Sequence, residues 1–175
     1  RWKFAFQELG RVYLDALGDL VIAIEHVGST AIEGIAAKPI LDIDLVVEDY
    51  TVFPEVRSGL ASLGYRHDGD LSITQREVFT REDEGVPRNE DAQSFMKHHL
   101  YVCPKSSREL ARHVAFRNFL NAHDEERLEY EGIKKAIEAN SNDDRATYAR
   151  IKEQEGVCGA FVESVLAKAG LVDGP

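Results

Sequence analysis

Apolar positions open the chain at helical spacing. Trp2, Phe6, Leu9, Tyr13 and Leu17 fall on one face, and Gly18 stands where such a helix would stop. The pattern then tightens. Val21 to Ile24 is an apolar run of strand length, and Gly28-Ser29 reads as a turn. Thr30 with Glu33 reads as a capping box opening a short helix that Lys38-Pro39 would end. Ile40 to Val47 is a second strand-like run, closed by Glu48-Asp49. Pro54 suits the first turn of a helix with Val56, Leu60 and Leu63 as its stripe and Gly64 as its stop. Tyr65 to Val78 predicts two short strands around the Asp68-Gly69-Asp70 turn, with Glu77 to Thr80 of strand character. Arg81 to Asp91 is charged and aperiodic, a loop between two strands that border the site.

Phe95 to Val102 predicts a strand with unlike faces: Lys97, His99 and Tyr101 on one, Met96, His98, Leu100 and Val102 on the other. Ser106 and Glu109 form a second capping box for a helix to about Leu120. His123-Asp124 starts another, with Tyr130, Ile133 and Ile137 on one side. After a polar break at Asn140 to Asp144, the last helix would carry Tyr148, Ile151, Val162, Val165 and Leu166 to Gly170, weakened by Gly156 and Gly159. This order predicts one α/β (α+β) domain over residues 1–175: a small mixed β-sheet with flanking helices over about 20–103, and a C-terminal helical bundle over about 106–170.

Two carboxylates interrupt the second run. Side chains on a strand have period two, so Asp42 and Asp44 share a face. Like charges side by side in an apolar strand are unfavourable without a cation between them. A divalent metal is the common partner, and magnesium takes carboxylates together with phosphate oxygens. A Gly-Ser turn feeding a helix N-terminus supplies the complementary anion site. Strand, Gly-Ser turn, short helix and a strand with Asp-x-Asp resemble the nucleotidyltransferase superfamily. Within it, His26-Val-Gly-Ser-Thr and Ala37-Lys-Pro-Ile-Leu-Asp are similar to the GrpB family. So are Gly64-Tyr-Arg-His67, Arg76-Glu-Val-Phe, His98-His-Leu-Tyr-Val-Cys103 and Phe116-Arg-Asn-Phe-Leu-Asn-Ala-His123. The stretch from Tyr148 to the last helix is longer than that family's pattern.

The resemblance implies a sheet of nucleotidyltransferase type and metal-dependent transfer of a nucleotidyl group from a nucleoside triphosphate to an acceptor. Its other implications are a nucleotide- or anion-binding module without turnover, and a structural partner domain, since such domains are joined to a coenzyme A biosynthetic kinase in some proteins. In the first case Asp42 and Asp44 would be catalytic and hold Mg²⁺ or Mn²⁺, and Gly28, Ser29 and Thr30 would hold phosphate of a triphosphate or another phosphorylated small molecule. Lys38, Arg76, Arg81 and His99 would offset its charge.

Each assignment has a plainer alternative. The aspartates could pair with surface lysines or arginines; Ser29 or Thr30 could only cap a helix. Lys38 could be solvated, Arg76 and Arg81 could form surface ion pairs, and His26, placed to contact a base or a phosphate, could simply bond nearby backbone. Arg76 and Arg81 are expected beside the aspartate strand. His98 is expected as a satisfied core histidine. The third carboxylate common in active nucleotidyltransferases has no clear position; Glu77 and Asp70 are the candidates.

Charge and cysteine content narrow the rest. With 31 acidic against 21 basic residues, a net charge of −10, an extended nucleic-acid surface is not expected. Two cysteines, Cys103 and Cys158, make no disulfide framework or metal-ligand spacing, so a reducing cytoplasm is expected. No run is long enough for a membrane span, and no secretory leader pattern is visible.

Overall fold

Helix α1, Trp2–Leu17, buries Leu9, Tyr13 and Leu17 and stops at Gly18, whose φ of 51° is a conformation glycine adopts without strain. The computed structural model describes residues 1–90, 93–140 and 157–171. Strands β1 (Ala23–Val27) and β2 (Leu41–Val47) follow, then α2 (Phe53–Ser62) with Pro54 in its first turn. Next come β3 (Tyr65–His67), β4 (Glu77–Arg81) and β5 (His98–Pro104). Helices α3 (Arg108–Ala122), α4 (Asp124–Asn140) and α5 (Val157–Lys168) complete the described chain. Tyr148, Ile151, Gly156 and most of the predicted break from Asn140 to Asp144 lie outside the described residues, as does Asp91.

The five strands form one mixed sheet in the order β1-β2-β5-β4-β3. Only β2 and β5 run parallel; the other neighbours are antiparallel. The aspartate strand therefore lies between β1 and β5. The strand of Arg76 and Arg81 is one place further away, which corrects the expectation that it borders β2.

The chain divides into two compact units. The first comprises Arg1–Ala31 and Ala37–Val114, the second Ile32–Ala36 and Ala115–Pro175. In the first unit, one sheet face presents Leu41, Ile43, Leu45, Val47, Leu100 and Val102 to Leu9, Tyr13 and Leu17 of α1 and Val56 and Leu60 of α2. The other face has a smaller apolar patch, in which Val46 and Cys103 meet Leu110 and Val114 at the start of α3. In the second unit Ile32, Ile35, Leu120, Tyr130, Ile137, Phe161 and Val165 form a separate core.

Two predicted starts of helices differ from the structure. The stretch after Thr30 makes a single 3-10 turn, Ser29–Ala31, and no helix. Its backbone donors go elsewhere: Glu33 N–H donates to the Asn121 side chain at 2.8 Å, and Ala36 N–H to Glu131 at 3.1 Å. Gly34, at φ 79°, breaks the helical path. Helix α3 is capped by Ser107, whose hydroxyl accepts the Leu110 N–H at 3.3 Å, rather than by Ser106. Glu109 is thereby released to face other side chains.

Candidate functional site

The register of β2 assembles the site. Asp42 lies opposite Val27 on β1 and His99 on β5; Asp44 lies opposite Glu25 and Tyr101. Residues directly opposite in a sheet share a face. Asp42, Asp44, Glu25, His99 and Tyr101 thus form one polar strip across three strands.

The Gly28 turn closes on the first carboxylate. Gly28 has φ 71°, and a Cβ there would overlap the Asp42 side chain, so only glycine permits this approach. The other Asp42 oxygen, Oδ1, accepts from His99 Nδ1–H at 3.0 Å. A carboxylate can only accept, so the proton is on Nδ1 and His99 Nε2 turns outward. Ser29 follows Gly28 directly. Thr30 is turned inward: its hydroxyl bonds His26 Nε2 at 2.8 Å and lies 3.5 Å from the Ile40 carbonyl. His26 is held further by stacking on Phe6, with ring centroids 4.9 Å apart. A three-residue 3-10 turn has no helix N-terminus to offer to an anion.

Asp44 is fully buried, at 0% exposure. Its Oδ2 accepts from His113 Nδ1–H at 2.8 Å, while Oδ1 is buried with no partner among the described residues. His113 Nε2 stands 3.7 Å from Glu109. Burial alone would lower the His113 pKa, but the bond and charge of Asp44, aided by Glu109, outweigh it and raise the pKa. His113 was not singled out from the sequence. The available signal was the (i, i+4) spacing of Glu109 and His113, masked by the capping-box reading of Glu109.

Arg76 reaches this face ahead of β4. Its guanidinium carbon lies 4.7 Å above the Tyr101 ring, and its Nε is buried without a partner among the described residues. Burial, then the Asp42 charge, push the Tyr101 phenol up to about 12, so it remains a donor. Burial pushes the Cys103 thiol up to about 12 as well, which makes it a packing residue rather than a nucleophile or ligand.

Arg81 and Lys38 stand apart from the strip. By alternation with Val78, which pairs with Tyr101, Arg81 belongs to the opposite face of β4, where its charge acts on Tyr13, Tyr65 and His98. Lys38 is exposed in the turn before β2. His98 is buried as a core residue, accepting from Tyr65 Oη–H at 2.6 Å and donating to the Met96 carbonyl at 2.7 Å. Glu77 is bonded to His67 at 2.6 Å and Asp70 accepts the Ser72 N–H at 2.9 Å, so neither joins the strip. The further carboxylate on a neighbouring strand is Glu25. Among the described residues, however, no three His, Cys, Asp or Glu side chains stand close enough to hold one metal ion together.

A buried carboxylate oxygen with no donor costs about 1–3 kcal/mol. Asp44 Oδ1 is such an oxygen, on the same strand face as Asp42. Two carboxylates fit magnesium when phosphate oxygens and water complete its shell.

Comparison with known proteins agrees with the fold. The family model described as GrpB protein matches residues 1–167. The Glutamate-rich protein GrpB of Alkalihalophilus pseudofirmus is 32% identical over 169 residues, spanning 94% of this chain and 88% of that protein. UPF0157 protein YqkA of Bacillus subtilis is 29% identical over 154 residues, which are 88% of this chain and 42% of that protein. A protein named Dephospho-CoA kinase from Mycolicibacterium paratuberculosis is 24% identical, and 41% of its length is matched. The crystal structure of conserved protein GrpB from Enterococcus faecalis superposes with a TM-score of 0.74 over 96% of this chain and 92% of that one, at 24% identity. That structural likeness speaks for the fold alone. The family match along nearly the whole chain, with a relative of 32% identity, settles membership: the chain belongs to the GrpB family.

Proposed function

We propose that the polar strip binds a nucleoside triphosphate with magnesium and transfers its nucleotidyl group to a small acceptor. The observation that carries this reading is the buried Asp44 Oδ1, without a partner among the described residues, on the same face as Asp42, whose carboxylate lies against the glycine turn. Asp42 and Asp44 would hold the cation, which when bound neutralises developing charge on the phosphates. Gly28 N–H and the Ser29 hydroxyl would hold the outer phosphates. Arg76 would clamp them with its planar fork. His113 keeps Asp44 oriented and offsets one buried negative charge.

His99 is the base in this scheme. Asp42 fixes the proton on Nδ1 and leaves Nε2 free to accept one. The acceptor hydroxyl would give its proton to His99 Nε2 while its oxygen bonds the α-phosphorus. The bond from that phosphorus to the bridging oxygen breaks, and pyrophosphate leaves in line.

A second reading, nucleotide binding without turnover, is favoured by one observation: each aspartate already accepts an N–H from a histidine. Incubation with α-labelled triphosphate, magnesium and pooled small-molecule acceptors separates the two. Label transfer with pyrophosphate release, lost in Asp44→Asn, supports the enzyme. Binding without transfer supports the module, and absence of triphosphate binding rejects both.

A further inference from the structure

Strands β4 and β5 are neighbours for only three residue pairs. Their ladder runs from Glu77 opposite Val102 to Phe79 opposite Leu100 and stops there. Both strands continue beyond it, but with other partners. Thr80 and Arg81 pair with Arg66 and Tyr65 on β3, while His98 and His99 pair with Leu41 and Asp42 on β2. The sheet therefore parts in its interior. Facing strand edges that diverge leave backbone donors and acceptors outside any ladder, as sheet edges do.

A cavity of about 530 Å³ occupies the opening. That volume falls in the range of about 300–1,000 Å³ typical of small-molecule sites. Its apolar wall is Phe79, Phe95 and Leu100, and its cationic groups are Arg81 and Lys97. Arg81 Nη2 donates to the Glu84 carbonyl, which fixes the side chain, while its Nε is buried without a partner among the described residues. Of the two acids on the rim, Asp83 is already engaged by Arg88 at 3.1 Å and by the Gly85 N–H at 2.8 Å. Glu84 is exposed. An aromatic wall beside an under-satisfied guanidinium and a lysine suits a ligand with an apolar ring and one anionic group. His99 lines the same cavity and bonds Asp42 on the strip, so it joins the two sites.

We infer that the opening between β4 and β5 is a binding pocket for a small molecule carrying an apolar ring and a carboxylate or phosphate group. Resting on the transfer reading above, this molecule is the acceptor, held with its hydroxyl toward His99.

Calorimetric titration of the full chain in EDTA tests the pocket apart from the nucleotide site. The probes are 2-naphthyl phosphate and 2-naphthoate, with inorganic phosphate and 2-naphthol as controls. The inference expects saturable one-to-one binding of at least one naphthyl anion, and which of the two identifies the anionic group. It expects both controls to bind at least tenfold more weakly. Lys97→Gln should weaken the anion at least tenfold, and Ser94→Trp, at the exposed rim, should abolish it, both at the wild-type melting temperature. No saturable binding of either anion, or undiminished binding in both variants, overturns the inference. Melting shifts with magnesium and ATP, measured on the same samples, keep the two readings distinct. A naphthyl anion bound by a protein that magnesium-ATP does not stabilise would leave the pocket standing, remove the transfer reading and overturn the acceptor assignment.

Discussion

Strand β2 carries two kinds of chemistry on one backbone. Leu41, Ile43, Leu45 and Val47 face α1 and α2 and are fully buried among apolar side chains. Asp42 and Asp44, between them, face His99, Tyr101, Glu25 and His113. The first face returns transfer and dispersion energy for each methylene buried. The second holds groups whose bonding is incomplete, including one carboxylate oxygen and one guanidinium nitrogen with no partner among the described residues. The contrast teaches that stability and ligand binding are carried here by alternate residues, so substitutions one position apart should separate them.

The largest effect is expected on the apolar face. Leu45→Ala removes a fully buried side chain and should cost about 2–5 kcal/mol in urea unfolding. A loss below about 1 kcal/mol would mean that this face is not the core.

Histidines sharpen the comparison through pH. Burial among the core residues pulls the His98 pKa down to about 4. An unfolded histidine titrates near about 6.5, so the folded state resists protonation. Its contribution is present above about 6.5 and is lost as pH falls toward 4, by about 3 kcal/mol. His113, paired with Asp44, has its pKa raised, so its contribution is complete below about 6.5 and is lost as pH rises through the folded value. His98→Gln should flatten the acid limb of stability against pH, and His113→Gln the alkaline limb. The same limb flattening in both variants would refute the opposed assignments.

Asp44→Ala comes next in size. It leaves His113 without its buried acceptor and should cost about 1–3 kcal/mol, because an unmet hydrogen-bonding group keeps its desolvation penalty. The loss should be greatest where His113 is protonated. A loss independent of pH across the His113 titration would remove the ion pair from the account.

How far these features could be read from residues alone depends on their range. The shared face of Asp42 and Asp44 follows from strand alternation, and the stripe of α1 from helical periodicity; both are local. Glu25 and His113 join the strip because β1 pairs with β2 and because α3 begins over that face; the spacing of Glu109 and His113 marks a helix face but not the strand it covers. The opening beside β4 is likewise a property of strand order. The helix expected after Thr30 failed for a nonlocal reason too, since Asn121 and Glu131 take the backbone N–H groups that would have made it. His98 and His99 could be told apart because adjacent strand residues must face opposite ways, and one side was visibly apolar.

Asp42→Asn is the smallest expected change in stability and the most direct trial of the binding claim. Asp42 is only half-buried, and neutralising one of two neighbouring carboxylates relieves repulsion, so the unliganded variant should stay within about 0.5 kcal/mol of wild type. Melting temperature is to be measured for both proteins with and without Mn²⁺ and ATP. A ligand that binds only the folded form must raise it. The account predicts a rise in the wild type that requires metal and nucleotide together and is absent from Asp42→Asn. An equal rise in both proteins, or no rise in the wild type, would contradict it.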